Sequence, residues 1–127
     1  MFSIKNKVVL ITGTSRGIGR NIAEAFLKQN AIVIGISRNT KKIIKNKNYF
    51  HFVCDLTNIK KLQKAIFKIL KTKKKIDVVI NNAGITLETD KIFKKSLENF
   101  KRTLDVNLIA PFVISHLLIN SLKKNKN

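Results

Sequence analysis

Apolar positions along this chain alternate between short unbroken runs and longer stretches in which they recur at helical intervals. Val8 to Thr12 is a run of the first kind, with nothing polar interleaved before Thr12, and it predicts a strand buried on both faces. From Ile18 the spacing changes. Ile22, Ala25, Phe26 and Gln29 follow on one stripe and predict a crossover helix lying against a sheet. Ala31 to Ser37 predicts a second strand and Tyr49 to Cys54 a third; the polar, lysine-rich Asn39 to Asn48 between them suits a short helix or a loop. Asp55, Thr57 and Asn58 are side chains suited to capping, so a helix is expected to begin near Asn58. Its buried stripe is Ile59, Leu62, Ile66, Ile69 and Leu70, and Lys71 to Lys75 falls near its C-terminal end, where cations complement the helix dipole. Ile76 to Ile80 reads as a fourth strand, Asn81 to Gly84 as a turn and Leu97 to Leu122 as a long final helix. The order β-α-β-(α)-β-α-β-α defines an α/β fold of the Rossmann type, a doubly wound parallel sheet with right-handed crossovers.

Composition narrows this reading. A chain of 127 residues, 44% hydrophobic, builds one core, so residues 1–127 are expected to form one domain. Cys54 stands alone and excludes an internal disulfide, and the N-terminus shows no secretory pattern, which together predict a cytoplasmic protein. Leu104 to Leu122 is the most apolar stretch, but Asp105, Asn107, Pro111, His116 and Asn120 interrupt it, so no membrane span is expected. The net charge of +19 raises the question of an anionic partner. The lysines are scattered over predicted helix faces and loops without interleaved aromatics, and only Arg16, Arg20, Arg38 and Arg102 are arginine. That is a solvated surface, and no nucleic-acid partner is expected. His51 and His116 are too few for a metal site, and each is expected on a strand or helix surface.

The segment Thr12 to Gly19, TGTSRGIG, lies where the first strand feeds the first helix. There Gly13 suits the tight turn, Gly17 a close backbone approach to a pyrophosphate, and Gly19 close packing of the helix, whose N-H groups and dipole would receive phosphate oxygens. The glycine spacing, with Asp55-Leu56 after the third strand, Asn81-Asn82-Ala83-Gly84 after the fourth and Asp105-Val106-Asn107-Leu108 in the last helix, resembles the short-chain dehydrogenase/reductase family. TGTSRGIGR and NNAGIT are most similar to its 3-oxoacyl-acyl carrier protein reductases.

The resemblance implies that Gly13, Thr14, Ser15, Arg16, Gly17, Ile18 and Gly19 hold the diphosphate side of a nicotinamide dinucleotide. It further implies that Asp55 and Leu56 meet the adenine, that Asn82, Ala83 and Gly84 meet the nicotinamide ribose, and that Thr12 ties its strand to the NNAG turn. Where NAD enzymes carry an acidic residue at the end of the second strand, this chain has Ser37-Arg38. Arg38 and Arg16 can both reach a 2′-phosphate, so NADP(H) is the expected cofactor, with NAD(H) as the lesser one.

Asn107 matches the family's catalytic asparagine, whose main-chain carbonyl holds a water in a proton relay. Pro111 stands four residues beyond it and is expected to free that carbonyl and kink the helix. The rest of the family's tetrad has no counterpart: Tyr49, the single tyrosine, is followed four residues later by Val53 rather than lysine. The chain therefore reads as a partial NAD(P)-binding Rossmann domain that ends where the family continues. A small-molecule carbonyl or alcohol substrate, and a homo-oligomer or a partner supplying the missing half, are what the resemblance implies. A non-catalytic dinucleotide-binding or pairing module is the alternative.

Overall fold

In the computed structural model, which describes residues 3–86 and 97–124, β1 (Val8–Thr12) is buried at every position. Its alternation splits the core in two, with Val8 and Leu10 in one apolar cluster and Val9 and Ile11 in the other. Strands β2 (Ile32–Ser37), β3 (Tyr49–Val53) and β4 (Val78–Ile80) join it in a parallel sheet of order β3-β2-β1-β4. Val9 is the hub of the register, opposite Val33 on one side and Val78 on the other. Helix α1 (Gly17–Lys28) covers one face, while α2 (Ile59–Lys73) and α3 (Leu97–Lys123) cover the other. This is the expected doubly wound arrangement. Among the described strands β4 pairs only with β1, so it forms an edge, as β3 does on the far side.

The stripe expected on α1 is displaced by one residue. Gly19, Ala23 and Leu27 are the buried positions, Ile22 and Phe26 pack beside them, and Ile18, Ala25 and Gln29 are exposed. Small residues at 19 and 23 let the helix axis approach the sheet, which turns the bulkier Ile18 outward; it is 73% exposed. Asn39 to Asn48 contains no helix.

Helix α2 begins as expected, with the Asn58 side chain accepting the Lys61 N-H at 3.0 Å, and buries Leu62, Ile66 and Ile69. Its lysine run is structural. Lys74 takes a left-handed conformation (φ 60°) and closes the helix onto the Leu70 carbonyl, Lys73 sits 3.2 Å over the Phe50 ring, and Lys75 pairs with Asp77.

Helix α3 is α-helical over Leu97–Leu104, π-helical over Asp105–Ile109 and α-helical again over Ala110–Lys123. In place of the simple proline kink expected, the helix widens by one residue, and the Ala110 N-H bonds back five residues to the Asp105 carbonyl. Pro111, lacking an N-H, can serve neither Asn107 nor Val106. By length and composition α3 could cross a membrane, its most apolar window having a mean hydropathy of 1.4. Val106, Ala110, Ile114 and Leu118 are nevertheless buried against the sheet. The opposite side leaves Leu97, Phe100, Leu108 and Phe112 exposed.

At the amino end of the sheet Asp77, with a side chain only 3% exposed, locks β1 to β4. It accepts the Val8 N-H at 2.7 Å and returns its own N-H to the Val8 carbonyl at 2.8 Å. Its Oδ1 accepts no well-aligned hydrogen bond, and its charge is balanced by the Lys75 ammonium at 3.0 Å and by Lys7 at 3.9 Å. Removing the carboxylate orphans a shielded N-H, so Asp77→Ala should cost about 2 kcal/mol in urea unfolding. Lys75→Ala, which deletes only a half-exposed partner, should cost less than about 1 kcal/mol.

Candidate functional site

From β1 the chain winds outward through β2 to β3, then α2 carries it back to β4 on the other side of β1. The carboxyl ends of β1 and β4 therefore form the topological switch point where an open α/β sheet leaves a crevice. Here the crevice is a cleft of ≈ 800 Å³, within the roughly 300–1,000 Å³ usual for ligand sites.

Two turns bound the cleft and hold one another. The Thr12 hydroxyl accepts the N-H groups of Asn82 (3.1 Å) and Ala83 (3.0 Å), and the Asn82 amide donates to the carbonyls of Thr12 (3.0 Å) and Gly13 (3.3 Å). The expected tie between Thr12 and the NNAG turn is thus present. Gly13 and Gly17 both take positive φ, 77° and 57°, reversing the chain into α1. Gly19 has a different reason to be glycine: a Cβ there would overlap the Gly13 carbonyl and the Asn82 amide. Its close neighbours are the two turns themselves. No side chain caps the first turn of α1, and Ser15, Arg16, Gly17, Ile18 and Gly19 all line the cleft.

The other strand ends complete the wall. Arg38 follows β2, Asp55 and Leu56 follow β3, and Asn82, Ala83 and Gly84 follow β4. Every expected cofactor-binding residue lines the cleft except Thr14. Its side chain is turned inward, fully buried, with its hydroxyl 2.7 Å from that of Tyr49. Asp55 folds into a turn in which its Oδ1 accepts the Thr57 N-H (3.0 Å) and hydroxyl (2.9 Å). Those bonds, with the nearby Arg38 and Arg102 guanidinium groups, hold its carboxyl below the usual range and keep it ionised.

Asn107 lies beside the cleft on the π turn. Its side chain bridges the backbone of Ile85, accepting the N-H at 2.9 Å and donating to the carbonyl at 2.7 Å. The asparagine side chain therefore fixes the segment after β4, a role not foreseen for it. His51 lies on the edge strand β3, as expected, but is tied into a hydrogen-bond network. It is half-buried, and its Nδ1 is 2.9 Å from the Tyr49 hydroxyl. His116 is exposed on α3 and stacks on Phe112, and no cluster of metal-ligating residues occurs among the described residues.

Arg102, Val106 and Ile85 also line the cleft, although the sequence motifs do not single them out. Arg102 and Val106 are four apart, one helical turn, and that spacing beside Asn107 was the available signal. Arg16, Arg38 and Arg102 all line the cleft, and Arg20 anchors its rim by donating from Nη1 to the Lys42 carbonyl at 3.1 Å. The four arginines of the chain are thus gathered at one end of the sheet.

A parallel sheet with uncapped helical N-H groups at its switch point defines the class of dinucleotide-binding α/β domains. The particular family follows from comparison: the short chain dehydrogenase profile matches residues 7–127, and the chain belongs to that family. It is 33% identical to the 3-oxoacyl-[acyl-carrier-protein] reductase FabG of Rickettsia bellii, over 99% of this chain and 52% of that protein. It is 35% identical to the FabG of Buchnera aphidicola subsp. Baizongia pistaciae, over 94% of this chain and 51% of the relative. The ligand-free aldohexose dehydrogenase of Thermoplasma acidophilum superposes with a TM-score of 0.87 at 36% identity, covering 100% of this chain and 49% of the other. The chain thus spans about half the length of the curated relatives it matches.

The two helix-entry glycines should differ on substitution. Gly19→Ala drives a methyl into backbone and should cost about 2–3 kcal/mol in thermal or urea unfolding. Gly17→Ala meets open space and pays only for its left-handed backbone, about 1 kcal/mol.

Proposed function

We propose that the protein is an NADP(H)-dependent oxidoreductase acting on a small-molecule carbonyl or alcohol, and that this cleft holds the cofactor. The supporting observation is the make-up of the wall: uncapped N-H groups and two turn arginines on one side, no carboxylate after β2, and an ionised Asp55 farther along. The residues fit the group. Gly13 to Gly19 would take the diphosphate on backbone N-H groups, and Arg16 and Arg38 the 2′-phosphate through charge-assisted hydrogen bonds. Asp55 would accept from the adenine amino group, with Leu56 beside it, and Asn82 to Gly84 would support the ribose next to the nicotinamide. When bound, the cofactor supplies or receives hydride.

On the protein side, Asn107 holds the post-β4 segment in place with its side chain, and its main-chain carbonyl lies in the π turn that Pro111 leaves short of a donor. A proton donor is the remaining requirement. Tyr49, the one tyrosine here, is buried on the α1 face of the sheet and has no lysine four residues on. We therefore expect these 127 residues to bind cofactor without turning over substrate. The reductases and the sugar dehydrogenase among the relatives share carbonyl–alcohol interconversion, which sets the substrate class proposed.

The exposed apolar face of α3, Leu97, Phe100, Leu108 and Phe112, is proposed to pack against a second copy. Light scattering should report a mass above that of one chain, and Phe112→Glu should bring it down to one.

Titration by cofactor fluorescence tests the binding reading. NADPH should bind at least about tenfold more tightly than NADH, and Arg38→Ala should remove most of that difference, since hydrogen bonds to a charged group are at stake. Equal affinity of the unaltered chain for the two cofactors would reverse the preference proposed.

A further inference from the structure

Gly35 stands in the middle of β2, where a residue without a side chain weakens a strand unless something occupies its place. What occupies it is the Tyr49 hydroxyl. A Cβ built at Gly35 would overlap Tyr49 Oη and press on Thr14 Oγ1. The register explains how: Val33 opposes Tyr49 and Gly35 opposes His51, so Tyr49 and His51 share the α1 side of β3 and the phenol lies across the gap at Gly35.

From there a chain of hydrogen bonds crosses the sheet. Thr14 Oγ1 is 2.7 Å from Tyr49 Oη, Tyr49 Oη is 2.9 Å from His51 Nδ1, and His51 Nε2 is 3.0 Å from the Asn39 carbonyl. A carbonyl only accepts, so Nε2 carries the imidazole proton and Nδ1 accepts from the phenol, which leaves Thr14 to donate to Tyr49. Burial pushes the tyrosine pKa up and the histidine pKa down, which favours the neutral forms this order requires. Ser37 Oγ, 3.3 Å from His51 Nε2 and accepting the Asn39 N-H at 3.3 Å, joins at the far end.

The chain thus starts in the glycine turn and ends in the turn that carries Arg38. An apolar filling at Gly35, Tyr49 and His51 would satisfy the core with less desolvation. It would remove the 3.0 Å donor of the Asn39 carbonyl and leave it the longer, 3.4 Å bond from the Ser37 hydroxyl. We propose that His51 is a positioning residue for 2′-phosphate recognition: it holds the Ser37–Asn39 turn at a set height above β3 and, through Tyr49 and Thr14, couples that height to the glycine turn. This rests on the NADP(H) reading above, and it assigns His51 and Tyr49 to cofactor discrimination although neither side chain lines the cleft.

The test uses the full chain and both reduced cofactors, with thermal melting to confirm that each variant is folded. His51→Phe should weaken NADPH about tenfold, the scale of one lost hydrogen bond at a charged contact, and move NADH by less than about twofold. His51→Gln, which keeps a donor near the place of Nε2, should recover most of the NADPH affinity. Tyr49→Phe keeps the ring but breaks the relay at its centre, and should lower NADPH affinity selectively but less; it carries the test if His51→Phe does not fold. A parallel loss of both cofactors, or no loss in a folded variant, overturns the proposal while the NADPH preference of the unaltered chain stands. If the unaltered chain shows no preference, the cofactor reading fails on that measurement alone and the proposal falls with it.

Discussion

The arrangement depends on the close approach of two turns, one after β1 and one after β4. They meet because β1 and β4 are adjacent while their connections leave in opposite directions, and one hydroxyl and one amide join them. Thr12 Oγ1 accepts two N-H groups of the NNAG turn, and the Asn82 amide donates back to two carbonyls of the glycine turn. Gly19 is the steric complement of those bonds, since a methyl group at that position would force the turns apart. The direction in which α1 presents its first N-H groups follows from this contact.

The same contact organises the second layer. Once the NNAG segment is fixed from the β1 side, Asn107 fixes its far end by pairing with both backbone groups of Ile85. That reach comes from the π turn, which offsets α3 by one residue while Val106 and Ala110 stay in the core. The proline and the asparagine therefore act on one object, the path of the chain after β4. The Ser121 hydroxyl repeats the tactic at the other end, accepting the Ile76 N-H at 2.7 Å.

Strands and helices were legible because their signals are local. An unbroken apolar run such as Val8 to Thr12 has few alternatives, and the Asn58 cap followed by Leu62, Ile66 and Ile69 marks a helix start and its face together. What is not legible locally is the residue that answers to something distant in sequence. On α1 hydrophobicity favours Ile18, whereas packing distance favours Gly19 and Ala23, so the buried face lies one position along. The place of Thr14 in the motif points to the cleft, whereas its side chain turns inward to Tyr49, 35 residues away. His51 looked like a surface histidine because nothing near it in sequence announces Asn39 as an acceptor. The sequence holds one clue to that network, an unexplained glycine inside a β-branched strand.

Charge shows the difference between abundance and placement. A net +19 draws any polyanion toward the molecule, but at physiological salt such attraction is screened beyond roughly 8 Å. It cannot separate two dinucleotides that differ by one phosphate. Separation needs donors within hydrogen-bond reach and held still, which is what a planar guanidinium on an anchored turn provides. The lysines are spread over the surface, whereas Arg16, Arg38 and Arg102 line the cleft and Arg20 braces its rim. In a chain so biased toward lysine, all four arginines stand at this one end of the sheet, and the hydrogen-bonded relay of Thr14, Tyr49 and His51 ends in the turn that carries Arg38.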